Sequence, residues 1–168
     1  MIIGVTGWFA SGKDTVCEYL EKKGFKKISL SDIIREYLAK EDLEPTRDNL
    51  RKAGNQLREK FGSNYLAKEA LQRIEKDHKH NNFVIPSVRL PAETKTLRES
   101  PDFQLWEVYV PAKIRYQRLK KRARTADEKN LTFTDFLQKE SAEKSDDPNH
   151  QQLDKVIQMA DARNAKVH

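Results

Sequence analysis

Cysteine is nearly missing from this chain. Cys17 stands alone, so no internal disulfide can form and a disulfide-stapled secreted scaffold is excluded. It is expected to be a small buried residue of the first helix, with a reactive thiol as the alternative. Long apolar runs are absent too: none nears the ~20 residues needed to span a bilayer. The opening MIIGV has no basic n-region, which speaks against a secretory signal. With the lone thiol this points to a cytoplasmic protein without a membrane partner. No repeat, low-complexity tract or Gly/Ser linker breaks the 168 residues, a length that suits one domain, 1–168. The histidines His78, His80, His150 and His168 show no metal-ligand spacing and receive no role.

What is abundant is charge. Charged residues make up 35% of the chain against 37% apolar, and the net charge is +6. A basic protein favours anionic partners: nucleic acid, phosphorylated metabolites or an acidic surface. Three stretches read as buried strands, Ile2–Thr6, Phe83–Ile85 and Leu105–Val110, and Phe25–Leu30 is a weaker fourth. Helical stripes lie between them at Asp14–Lys23, at Ser31–Lys40, from Pro45-Thr46 through Phe61, and at Asn64–Lys76. Leu153, Val156, Ile157 and Ala160 form a last stripe, and residues 165–168 open like a further strand. The polar stretch Lys139–His150 is expected to be exposed, with Asp146-Asp147 in a loop. Alternating strands and helices imply a parallel sheet with helices on both faces. Ligands of such sheets bind beyond the carboxyl ends of the strands. The residues after Thr6, Leu30 and Ile85 therefore carry the functional reading.

After the first strand comes GWFASGKDT, residues 7–15. Gly7-x-x-x-x-Gly12-Lys13, between a buried strand and an amphipathic helix, is a P-loop in its proper context. Glycines let the backbone wrap its N–H groups round an anion, and the following helix aims its positive end there. Gly7, Ala10, Ser11, Gly12, Lys13, Asp14 and Thr15 are thus the candidate triphosphate-binding residues. Lys13 would neutralise charge on the departing phosphoryl. Asp14 stands where a hydroxyl usually binds Mg²⁺. A carboxylate is also a hard oxygen ligand, so Asp14 and Thr15 are the candidate metal residues; simple stabilisation of a helix end by Asp14 is the alternative. Trp8 and Phe9 are expected to pack or to line an acceptor cleft, with base stacking as the other reading.

Three further motifs carry a resemblance. Ser31-Asp32-Ile33-Ile34-Arg35 follows the weak strand; Phe83–Ile85 runs on through Pro86 and Ser87 to Arg89 and Glu93; and residues 111–124 hold seven Lys or Arg and no acid. Together with the P-loop, these resemble the adenylate-kinase-like small-molecule kinases. That group includes nucleoside and deoxynucleoside monophosphate kinases and dephospho-CoA kinase, and its archaeal dephospho-CoA-kinase-like branch fits best at Arg51–Ile74 and Glu93. The resemblance implies a three-layer α/β P-loop NTPase fold, acceptor-binding helices at about 31–80 and a basic lid helix within about 111–147. It implies ATP and Mg²⁺ as cofactors and a small phosphorylated acceptor as partner. A nucleoside monophosphate comes first and dephospho-CoA second.

By the same resemblance, Arg35 and Arg89 grip the acceptor phosphate. Asp32 faces the transferring phosphoryl or an acceptor hydroxyl. Arg115, Arg118, Arg122 and Arg124 match the lid's basic positions, and Arg118 and Arg122, four apart, share a helix face. The assigned catalytic set is Lys13, Asp32, Arg118 and Arg122. The sequence departs from the family pattern at Pro86, where that strand normally ends in a metal-side aspartate, leaving Asp14 or Asp32 as the nearest substitute. A nucleotide-binding regulator without turnover is the rival class. Nucleic-acid binding by 111–124 is a third, disfavoured because only Tyr116 interleaves the charges.

Overall fold

A computed structural model describes residues 1–123 and 126–164. Strand β1 (Ile2–Thr6) leads into helix α1 (Lys13–Lys22), then β2 (Lys26–Lys27), α2 (Leu30–Lys40), α3 (Arg47–Phe61) and α4 (Tyr65–Lys76). The chain continues through β3 (Phe83–Pro86), α5 (Pro91–Leu97), β4 (Phe103–Val108) and α6 (Ala112–Arg122). It ends with α7 (Ala126–Asn130), α8 (Phe133–Ser141), α9 (Leu153–Gln158) and β5 (Ala162–Asn164). The five strands form one sheet in the order β2-β3-β1-β4-β5, and every pairing is parallel. This is the P-loop NTPase fold, a parallel sheet with helices around it.

Period-two alternation divides the core. Ile3 and Val5 of β1, Val84 of β3 and Val108 of β4 pack with Cys17 and Leu20 of α1. Ile2, Phe83, Ile85, Phe103 and Leu105 join the larger cluster with α2, α3 and α4. Sandwiching β1 between β3 and β4 buries all five of its residues. Gly4 has no room for a side chain, since a Cβ there would lie 2.8 Å from Phe103 Cζ. Burial raises the Cys17 thiol pKa to about 11, in keeping with the unreactive reading.

Element ends differ from the sequence expectation in understandable ways. Phe25–Leu30 supplies only the two exposed edge residues of β2. Leu30 belongs instead to α2, whose first turn is capped by the Ser29 hydroxyl accepting from the Asp32 amide at 3.3 Å. Strand β4 begins and ends two residues earlier than expected. Helix α5, a short stretch opened by Pro91, falls between the expected strands Phe83–Ile85 and Leu105–Val110, where the alternation implies a helix. Arg124 and residues 165–168 lie outside the described residues. No helix among the described residues is long and apolar enough to cross a membrane.

Candidate active site

The carboxyl ends of β1 and β3 and the start of α2 open onto one cleft of about 1250 Å³. It exceeds the ~300–1,000 Å³ of a typical small-ligand site, so it has room for two ligands side by side. Its floor is the loop after β1. Gly7 has φ 140° and passes so close to β4 that a Cβ would stand 2.5 Å from the Val108 carbonyl oxygen. Ala10 (φ 61°) and Gly12 (φ 98°) also take left-handed backbone, and the Ser11 amide closes the turn on the Trp8 carbonyl at 3.2 Å. No side chain caps α1, so its first-turn amides remain for an anion. Ser11 is fully buried, and its hydroxyl has no partner among the described residues.

Lys13 Nζ donates to the carbonyls of Gly7 (2.7 Å) and Trp8 (2.9 Å). Desolvation lowers its pKa from 10.5 to about 7, aided by the Arg89 charge and opposed by Glu143 and Asp14. Over this loop stands α6. Arg118 Nη1 lies 3.9 Å from where a Gly12 Cβ would be. Arg122 lines the same cleft and lies 5.6 Å from the Phe9 ring centre, with Arg47 at 4.2 Å from that ring. Phe9 thus lines the cleft and is held by cations. Trp8 is not in its wall and lies beside Lys144, 5.3 Å from ring centre to Nζ.

Arg115 departs from the expected role. It is buried, donating from Nε to the Val110 carbonyl (2.7 Å), from Nη1 to the Phe9 carbonyl (3.1 Å), and from both Nη atoms to Glu140. Its task is to tie the loop to α8, not to face a phosphate.

Beyond Pro86, Ser87 takes φ 67°, a strained left-handed turn for a residue with a Cβ. That turn heads the chain toward Arg89, which lines the cleft. Glu93 fixes this segment: Oε2 accepts from the amides of Arg89 (2.9 Å) and Leu90 (3.1 Å). Its Oε1 accepts from Arg58 Nε (3.1 Å) and Nη2 (2.8 Å), and both partners are buried. Arg35 also lines the cleft. Asp32 instead lines a smaller neighbouring cavity of about 140 Å³, with Asp14, Ser87 and Arg35, and binds Arg35 Nη1 at 2.7 Å.

The expected exposure of Lys139–His150 fails at its two glutamates. Glu140 is buried against Arg115 and Glu143 is only 5% exposed. Glu143 lines the cleft, accepting from Arg47 Nη2 at 2.9 Å and pairing with Arg89 Nη1 at 3.5 Å. Sequence reading missed it because its partners lie on α3 and beyond β3, distant in the chain.

For a metal, Asp14 and Thr15 are exposed on the first turn of α1, and Asp14 lines both cavities. No cluster of three or more His, Cys, Asp or Glu that could hold an ion occurs among the described residues. Mg²⁺ takes one or two carboxylates plus phosphate oxygens and water, and Asp14 with Thr15 fits that partial donor set.

A family model described as AAA domain matches residues 3–146. A UPF0200 protein of Thermococcus onnurineus is 37% identical over 131 residues, 76% of this chain and 71% of the relative. One of Thermococcus gammatolerans is 37% identical over 144 residues, 83% of this chain and 75% of the relative. The chain belongs to the AAA domain family and to the UPF0200 proteins. The UPF0200 name carries no substrate. Among solved structures, TT1252 of Thermus thermophilus aligns with all of this chain and 89% of its own, at a TM-score of 0.63 and 17% identity. That likeness concerns the fold alone.

Proposed function

We propose that this UPF0200 protein is an ATP- and Mg²⁺-dependent phosphotransferase that moves the γ-phosphoryl to a small acceptor already carrying phosphate. One observation carries the reading: the uncapped first-turn amides of α1 and the Lys13 side chain meet at the floor of a cleft with room for two ligands. Gly7, Ala10, Ser11, Gly12 and Lys13 hold the triphosphate, while Asp14 and Thr15 hold the metal. Mg²⁺ held there would supply charge neutralisation for the phosphoryl transfer. Lys13 and the lid residues Arg118 and Arg122 stabilise that charge, and closure of the lid keeps water out.

Arg35 and Arg89 face the acceptor, beside an apolar wall of Leu30, Ile34, Leu50 and Leu66. A nucleoside monophosphate and dephospho-CoA are the acceptors considered, and no nucleic-acid partner is part of this reading. Asp32 is the sequence candidate for an acceptor-side base, although its pairing with Arg35 in the smaller cavity favours a role in setting Arg35.

A nucleotide-binding regulator without turnover is the second reading. It is favoured by Pro86, which puts no carboxylate at the end of β3. Thermal unfolding with ATP, nucleoside monophosphates and dephospho-CoA tests nucleotide binding first. A ligand at 100 times its Kd adds ~2.7 kcal/mol, and Lys13→Ala should abolish the shift given by ATP. An equal shift in parent and variant refutes the site. Acceptor-independent binding with no transfer supports the regulator.

A further inference from the structure

Glu143 has no place in the scheme just given, yet it stands at its centre. Its main chain is pinned on both sides: its amide donates to the Glu140 carbonyl at 2.9 Å, and its carbonyl accepts from the Leu153 amide at 3.0 Å. Oε1 takes both Arg47 and Arg89. Oε2 is buried and has no hydrogen-bond partner among the described residues. A buried acceptor left without a donor is costly, and native sites rarely retain one without a use. Glu143 lines the same cleft as Lys13. It therefore stands in the wall of the cleft in which the phosphoryl would be transferred.

The arginines of the acceptor side tell the same story. Arg35 is paired with Asp32, Arg51 with Asp48, Arg58 with Glu93, and Arg47 and Arg89 with Glu143. A phosphate acting as nucleophile would have to come up beside a fixed carboxylate, with Arg47 and Arg89 already committed to it. Like charges at such a point repel. An alcohol would meet the opposite situation, because its O–H is the donor that Oε2 lacks.

Resting on the phosphotransferase reading, we propose that Glu143 Oε2 accepts the hydroxyl of the acceptor, so that the nucleophile is an alcohol oxygen and not a phosphate oxygen. The acceptor's own phosphate then lies away from the reacting centre, toward Arg35 and Arg51, whose solvent-exposed pairings with Asp32 and Asp48 it can displace. Arg47 holds Glu143 at Oε1 with a side chain that is 52% exposed, which leaves Oε2 for the acceptor. In the step itself the alcohol oxygen forms a bond to the γ-phosphorus. The bond from that phosphorus to the β–γ bridging oxygen breaks, and ADP leaves with the electron pair. The hydroxyl proton passes to Glu143. The product is a phosphomonoester.

The test is the bond made. Parent protein is incubated with ATP, Mg²⁺ and a panel of nucleoside monophosphates, sugar phosphates and dephospho-CoA, and the products are read by ³¹P NMR. A new monoester resonance on a sugar or pantetheine-nucleotide hydroxyl is the expected result. A new anhydride, as in a nucleoside diphosphate made from its monophosphate, overturns this inference while leaving the phosphotransferase reading intact. No transfer to any member of the panel overturns both.

With the accepted substrate, Glu143→Gln should lower kcat about 10²–10⁴-fold, the usual worth of a positioned acid–base group. The Kd values for ATP and acceptor by calorimetry should change less than about threefold, as expected when only a transition-state interaction is lost. Glu143→Asp retains the charge and should recover part of kcat, which separates proton acceptance from packing if the glutamine variant folds poorly. Unchanged kcat in Glu143→Gln, or an equal loss in both variants, refutes the role.

Discussion

Raising the pH from 7 to 9 should weaken ATP binding about fifty-fold through Lys13 alone, given its pKa of about 7. At pH 7 half of the Lys13 side chains are charged; at pH 9 only about one in a hundred are. If the cradle needs the ammonium, that difference appears in the apparent Kd and amounts to about 2.3 kcal/mol. The pKa is lowered by burial first and by the Arg89 charge second. An unfolded chain, with Lys13 near 10.5, therefore binds more protons than the folded one between about pH 7 and 10.5. Through Lys13, folding stability rises with pH across that window, and the charged form is the strained one below it.

A polyphosphate at Nζ reverses this balance, since an opposite charge at contact favours the ammonium. Binding should then draw a proton from solution, about 0.9 per ATP at pH 8 for a free-site pKa of about 7. Calorimetric titrations at pH 8 in two buffers of different ionisation enthalpy measure this number directly. Equal heats in the two buffers, or undiminished uptake in Lys13→Ala, would refute the reasoning.

Three substitutions test the frame of the site. Gly7→Ala places a Cβ 2.5 Å from the Val108 carbonyl at φ 140°, so urea unfolding should show a loss of at least about 2 kcal/mol. Gly24→Ala, with φ 90° and open space around it, should lose only the backbone cost of about 1–2 kcal/mol, and equal losses would argue against the contact with β4. Glu93→Gln puts an amide nitrogen among four donors from Arg58, Arg89 and Leu90. Breaking this buried pair should cost about 3–5 kcal/mol in the same assay; a loss below about 1 kcal/mol would show that the Arg89 segment does not depend on it.

Local signals carried much of the fold. The strand Ile2–Thr6, the P-loop and the apolar stripes of α1 to α4 were legible because each is contiguous and periodic. Edge strand β2 was overestimated, since two exposed lysines and one edge pairing hold less strand than its flanking residues suggest. The candidate site was legible where its residues are neighbours in the chain, as in the P-loop, or where the family resemblance supplied a position. Arg118 and Arg122 stand over the loop or its Phe9, and Arg89 reaches the cleft.

What escaped was long-range electrostatics. Arg115 reads as one more lid cation until Glu140 is found against it, 25 residues on. Glu143 reads as a loop acid until Arg47 is brought to it across 96 residues. Burying such charges requires partners, and no spacing rule reveals pairs that only the folded sheet brings together.

A single turnover with γ-labelled ATP, Mg²⁺, excess protein and the acceptor panel measures the proposed activity most directly. The account predicts that label leaves ATP and appears covalently on one phosphorylated acceptor, and that Lys13→Ala abolishes the transfer. Label that stays on ATP, or passes only to water with every acceptor, would contradict it.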